Sequence, residues 1–211
     1  MTDTLRHTVA GIVVLGVWGW LPNQAFAQTT PVRMMRVLVL NTAGAPVAVL
    51  SEAEKAAARV FQAAGIETTW RQAGTGTVDD DLTSMIIINL MSASMEARMK
   101  APATVMGFAV SGARLASIMY GRVERLAQAN ATDLATVLGH VIAHEIGHLL
   151  LPPGGHSAGG IMNAMLDLHL AVRGVLQFSS TEVTAMCARI AALARSREGV
   201  ASNRQIGDQL E

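Results

Sequence analysis

Between Leu134 and Leu151 the chain is apolar at almost every position (LATVLGHVIAHEIGHLLL) and contains no proline. A helix with one apolar stripe lies on the surface of a domain. A helix apolar on nearly every side is surrounded by protein. The pattern therefore predicts a buried central helix over 134–151, about which the other elements must pack.

The composition can supply that packing. The chain has 211 residues, 51% of them hydrophobic and 15% charged, which suits one folded domain rather than a disordered segment. Lys plus Arg and Asp plus Glu are both 16, so the formal net charge is zero. No basic face is implied for a phosphate backbone, and nucleic acid is not expected as a partner. The single cysteine, Cys187, lies in a helical run from Glu182 to Ala194 and reads as a core residue. With no intrachain disulfide available, stability must come from packing.

The first residues look like an address. Arg6 and His7 precede an apolar run from Val9 to Leu21, and Ala25-Phe26-Ala27 has the small-x-small form of a cleavage site. The run is about 13 residues long, short of the roughly 20 that a membrane-spanning helix needs. The expectation is a signal peptide over 1–27, then a domain over 28–195 with no stable membrane span, exported to the periplasm or secreted. The polar residues 196–211 are expected to form a disordered tail.

Met34 to Leu40, Ile66 to Arg71, Ser84 to Leu90, Gly107 to Ser111 and Arg114 to Tyr120 read as strands. Ser84 to Leu90 is apolar throughout, so both of its faces should be covered. The short, glycine-flanked Gly107 to Ser111 suits a sheet edge. Ser51 to Ala64 reads as a helix that opens on the capping pair Ser51 and Glu54 and closes at Gly65. Asn130 or Thr132 can cap the central helix, with Asp133 in its first turn. A last helix starts at Ser179, paired with Glu182, and runs to about Ala194. The acidic run Asp79-Asp80-Asp81 reads as a solvated loop.

The central helix carries His144-Glu145-Ile146-Gly147-His148, an H-E-x-x-H sequence. Positions i and i+4 stack one above the other, about 6 Å apart along the axis. Two imidazoles there can converge on one ion at the usual Zn–N distance of about 2.0–2.1 Å. Glu145, turned by roughly 100° from His144, is placed to act on a water at that ion as general base. An unpaired carboxylate and two histidines inside an apolar helix would each cost free energy, and one bound Zn2+ accounts for all of them. A third ligand is expected, and His156, beyond Pro152-Pro153-Gly154-Gly155, is the nearest candidate. Asp167 and Glu182 are the weaker alternatives. His140 lies one turn before His144, about 12 Å along the axis from His148. It reads as a hydrogen-bonded core residue, and His169 has the same bland reading.

The run from His144 to His156-Ser157, followed by Gly160-Ile161-Met162, resembles the metzincin clan of zinc metallopeptidases, in the manner of its matrixin-like and archaemetzincin-like members. The clan's glycine and third histidine would fall at Leu151 and Gly154, so His156 comes two residues late behind a longer loop. The resemblance implies an α+β, zincin-like fold: a mixed, mostly parallel sheet of about five strands, a buried active-site helix and a C-terminal helix. It implies that Met162 forms the Met-turn beneath the metal. It also implies that the edge strand, Gly107, Phe108, Ala109, Val110 and Ser111, pairs with an extended peptide or protein substrate. The function so implied is endopeptidase action through a zinc-activated water with Glu145 as base. The main alternative is a non-catalytic, zinc-stabilised module of the same fold that binds a partner. A further alternative is an exported interaction protein without metal.

Overall fold

The computed structural model describes residues 33–74, 85–154 and 156–207, with 196–207 described by backbone alone. The export segment read over 1–27, the acidic run Asp79-Asp80-Asp81, Ser84 and Gly155 lie outside the described residues.

Among the described residues five strands form one sheet: β1 (Arg33–Asn41), β2 (Ile66–Gln72), β3 (Ile86–Leu90), β4 (Gly107–Val110) and β5 (Leu115–Ile118). Their order is β2-β1-β3-β5-β4. The first three neighbouring pairs are parallel, and β4 alone runs antiparallel, against β5. This is the mixed, mostly parallel sheet expected from the sequence. Two strand readings are trimmed. Ser111 begins a 3₁₀ turn, Ser111–Ala113, and Arg114 takes a left-handed conformation (φ 49°), so β5 cannot start before Leu115. β3 is buried at Ile86, Ile88 and Leu90 but only half-buried at Ile87 and Asn89. One face is thus sealed and the other only partly covered, a correction to the two-sided burial inferred from its apolar run.

Among the described residues six helices accompany the sheet: α1 (Val47–Ala63), α2 (Ala93–Arg98), α3 (Tyr120–Ala129), α4 (Leu134–Leu150), α5 (Leu168–Val172) and α6 (Ser180–Gly207). The central helix is α4, within a residue of its expected ends. It touches α1, α3, α5, α6, β4 and β5, and ten of its buried residues are Ala135, Val137, Leu138, Val141, Ile142, Ala143, Glu145, Ile146, Leu149 and Leu150. Among the described residues no helix is long and apolar enough to cross a membrane.

Helix ends depart from the sequence reading where tertiary contacts intervene. α1 begins after Pro46, not at Ser51, because fully buried Leu50 must lie on the helix to reach the core. α4 is capped by Asp133, whose carboxylate accepts the Thr136 amide at 2.7 Å, rather than by Asn130 or Thr132. Tyr120, read as strand, opens α3, and Glu96 caps that helix by accepting the Gly121 amide at 2.7 Å. The Ser179–Glu182 pair does cap α6 reciprocally, with Ser179 N to Glu182 Oε2 2.7 Å and Glu182 N to Ser179 Oγ 3.3 Å. The backbone of α6 then continues as helix past Ala194 to Gly207. Cys187 is half-buried against the core, as expected.

α1 and α4 meet at Gly139. A Cβ there would come within 2.6 Å of the Ala53 carbonyl oxygen and 2.6 Å of Ala56 Cβ. Backbone is the obstacle, so the helices would have to separate. Gly139→Ala is therefore expected to destabilise the fold by about 1–3 kcal/mol, outweighing the gain of about 1 kcal/mol that alanine brings to a helix interior. Urea denaturation checks it; a midpoint equal to or above wild type would contradict so close a crossing.

Candidate metal centre

α4 presents His144 and His148 one turn apart, and the chain leaves the helix at Leu151 in an extended conformation (φ −84°, ψ 157°). Pro152 and Pro153 bar further helix there. The chain then brings His156 back to the same place. One ligand atom from each of His144, His148 and His156 lies within 4.8 Å of the others. Ring centroids are 4.7 Å apart for 144–148, 5.2 Å for 144–156 and 5.0 Å for 148–156. Among the described residues this is the one group of three or more His, Cys, Asp or Glu able to hold a metal ion.

Donor chemistry fits a zinc ion. His144 Nδ1 is 2.7 Å from the Ile161 carbonyl oxygen. A carbonyl only accepts, so Nδ1 carries the proton and Nε2 keeps its lone pair. His148 Nε2 lies 3.1 Å from His144 Nε2. Two nitrogens at the usual distance from a tetrahedral ion would be roughly 3.3 Å apart. Burial lowers the pKa of His144, an effect reinforced by the neighbouring His156 and opposed by the Ile161 hydrogen bond. Burial, then His144 and His156, lowers that of His148 to about 4. Both are held neutral at pH 7, the form that coordinates a metal.

Glu145 is 5% exposed, and its Oε2 has no hydrogen-bond partner among the described residues. Desolvation raises its pKa to about 7. Buried carboxylate oxygens are nearly always partnered, so an orphan one on the residue after His144 makes Glu145 a candidate for the chemistry of this site. Room for it comes from Gly107 in β4, where a Cβ would lie 2.8 Å from Glu145 Oε1 and 2.8 Å from the Ser117 carbonyl oxygen.

Met162 is buried, and its Sδ occupies the space that a Cβ on Gly147 would take. It thus packs against the helix turn between the two histidines. The turn is drawn in by the Ile161 amide, which donates to the Gln177 carbonyl at 3.0 Å. Gly160 supplies the positive φ of 72°.

The other candidates lie elsewhere. Asp167 caps α5 through the Leu170 amide at 3.0 Å. His140 is buried, with Nδ1 2.8 Å from the Thr136 carbonyl, and burial lowers its pKa. His169 is exposed on α5. Of the edge residues, Gly107, Phe108, Ala109 and Val110 form β4, whereas Ser111 leaves it and donates from Oγ to the His148 carbonyl at 3.2 Å. The Ile161 carbonyl and the room at Gly107 and Gly147 were not found by sequence reasoning, because a backbone oxygen and a missing Cβ have no side-chain signature.

No protein-family model and no curated protein matches the sequence. Among solved structures the chain is similar to a zinc-dependent peptidase from Methanocorpusculum labreanum (strain Z). Identity is 15%, with 71% of this chain and 99% of the other covered, at TM-score 0.50. It is also similar to an archaemetzincin from Methanopyrus kandleri, at 12% identity over 77% of this chain and 99% of the other, with TM-score 0.46. The first likeness shows a shared α+β, zincin-like fold. At such identity it speaks for architecture, and the chemistry must be argued from the side chains.

Proposed function

We propose that this chain is an exported zinc-dependent endopeptidase, with His144, His148 and His156 holding one zinc ion and Glu145 managing the proton. The observation that carries the reading is the convergence of three imidazoles beside a buried carboxylate with an unpartnered oxygen. A zinc ion bound there would supply Lewis-acid chemistry, lowering the pKa of a water towards 7 and polarising a carbonyl.

The residues divide the remaining work. Glu145 takes a proton from the attacking water and returns it to the leaving amine. The Ile161 carbonyl orients the His144 ring. Among the described residues β4 pairs with β5 on one edge only, so its other edge offers backbone donors and acceptors to an extended peptide. A non-catalytic zinc module has no use for Glu145, whose burial with an unpartnered Oε2 costs stability. Export is supported by the basic, apolar and small-x-small pattern of residues 1–27.

The test is zinc quantification on purified protein joined to a peptide-library cleavage assay. One zinc per chain is expected, with cleavage lost in chelator and restored by added zinc. Stoichiometric zinc with no cleavage of any library member would leave the partner-binding module in place of the peptidase.

A further inference from the structure

His144 and His148 are set by the register of α4, but His156 lies outside any helix or strand and is exposed. Something else must hold it in place. The next residue, Ser157, is fixed twice: its amide donates to the Met162 carbonyl at 2.9 Å, and its hydroxyl donates to Glu182 Oε1. Glu182 is 9% exposed and uses both oxygens, since Oε2 accepts the Ser179 amide at 2.7 Å. The helix cap needs only one of those oxygens. The other ties the loop to the start of α6, which is seated in the core by Met186 and Ile190 and packs on α4.

We propose that Glu182 is a positioning residue that, through Ser157, holds the loop presenting His156 to the metal. The inference rests on the metal reading above and deepens it. The third ligand is thereby ordered before the ion arrives, so binding does not bear the cost of ordering the loop. A loop in place only a tenth of the time would bind tenfold more weakly. Loss of supporting hydrogen bonds around metal ligands commonly weakens affinity by about 10–100-fold.

The experiment measures zinc affinity of the full chain by competition with a chromophoric chelator. Ser157→Ala removes the tether and leaves the α6 cap intact. It is expected to weaken zinc by about tenfold. Glu182→Ala should weaken it similarly, and the double variant should be no weaker than the Glu182→Ala single. Glu182→Gln should stay close to wild type, because its carbonyl can keep the Ser179 amide while its NH2 donates to Ser157 Oγ. In a His156→Ala background, Ser157→Ala should have no further effect, because the tether acts through that ring. Wild-type affinity in Ser157→Ala, or an equal loss in the His156→Ala background, overturns the proposal while leaving the zinc site standing. A wild-type chain that binds no zinc overturns both.

Discussion

Glu145→Gln is expected to gain on wild type by on the order of 3 kcal/mol in folding stability between pH 4 and pH 8, measured without metal. The carboxyl has a folded pKa of about 7 against a model value of 4.5, with desolvation as the cause. A raised folded pKa means that the folded state holds the proton more tightly. Its stabilising contribution is therefore complete below 4.5 and is lost as pH rises through 7. Glutamine cannot ionise and escapes that loss. It leaves its own buried amide imperfectly partnered, a cost independent of pH that cancels in the comparison. The lowered pKa values of His144 and His148 act in the opposite sense, weakening the fold as pH falls below 6.5. They are common to both proteins and cancel to first order. Urea denaturation in chelator at the two pH values reads the difference; parallel curves would mean that the carboxyl is not desolvated in the folded chain.

The same variant should keep its zinc and lose about 10²–10⁴ in peptide cleavage, the range associated with a positioned general base. Glutamine preserves shape and burial while removing the proton acceptor. Retained zinc with full activity would remove Glu145 from the chemistry.

What could be read from the sequence was what local geometry decides. The all-round apolar character of 134–151 gave α4 to within a residue, since burial on every side leaves a signature in every window. The His144–His148 pair was legible because i,i+4 spacing is a property of the helix itself. The Ser179–Glu182 cap was legible for the same reason. The S-x-x-E pattern at Ser51 and Glu54 is as good a local match, yet it lies inside α1. There the burial of Leu50, decided by the rest of the molecule, outranks it.

The rest depends on contacts remote in sequence. α3 starts at Tyr120 with help from Glu96, a cap supplied from 25 residues away. Arg114 adopts a left-handed turn that its residue type does not advertise. At the site, His156 was readable only as the nearest histidine, and its place depends on Ser157 and Glu182, which meet only after folding. Glu182 was legible as a cap but not as a tether, because a cap is local and a tether is not.

Zinc at a thousandfold excess over its Kd is expected to stabilise the wild-type chain by about 4 kcal/mol, because a ligand that binds only the folded state adds to it by mass action. Most of that increment should vanish in His148→Ala, leaving the zinc-free variant folded with near wild-type stability. The two histidines of α4 differ in this respect. His144 is anchored by the Ile161 carbonyl, so its removal would disturb the turn at Met162 as well as the metal. His148 is half-buried, and among the described residues its imidazole's one hydrogen-bond contact is the Nε2 of His144. Its lowered pKa, due to burial first and to His144 and His156 next, marks a ring that is disfavoured as a cation where it stands. Such a ring is expected to add little to the metal-free fold. Thermal melts at pH 7.5, with zinc and with chelator, separate these contributions. A His148→Ala protein showing the full zinc-dependent rise would place the ion elsewhere and take the peptidase reading with it.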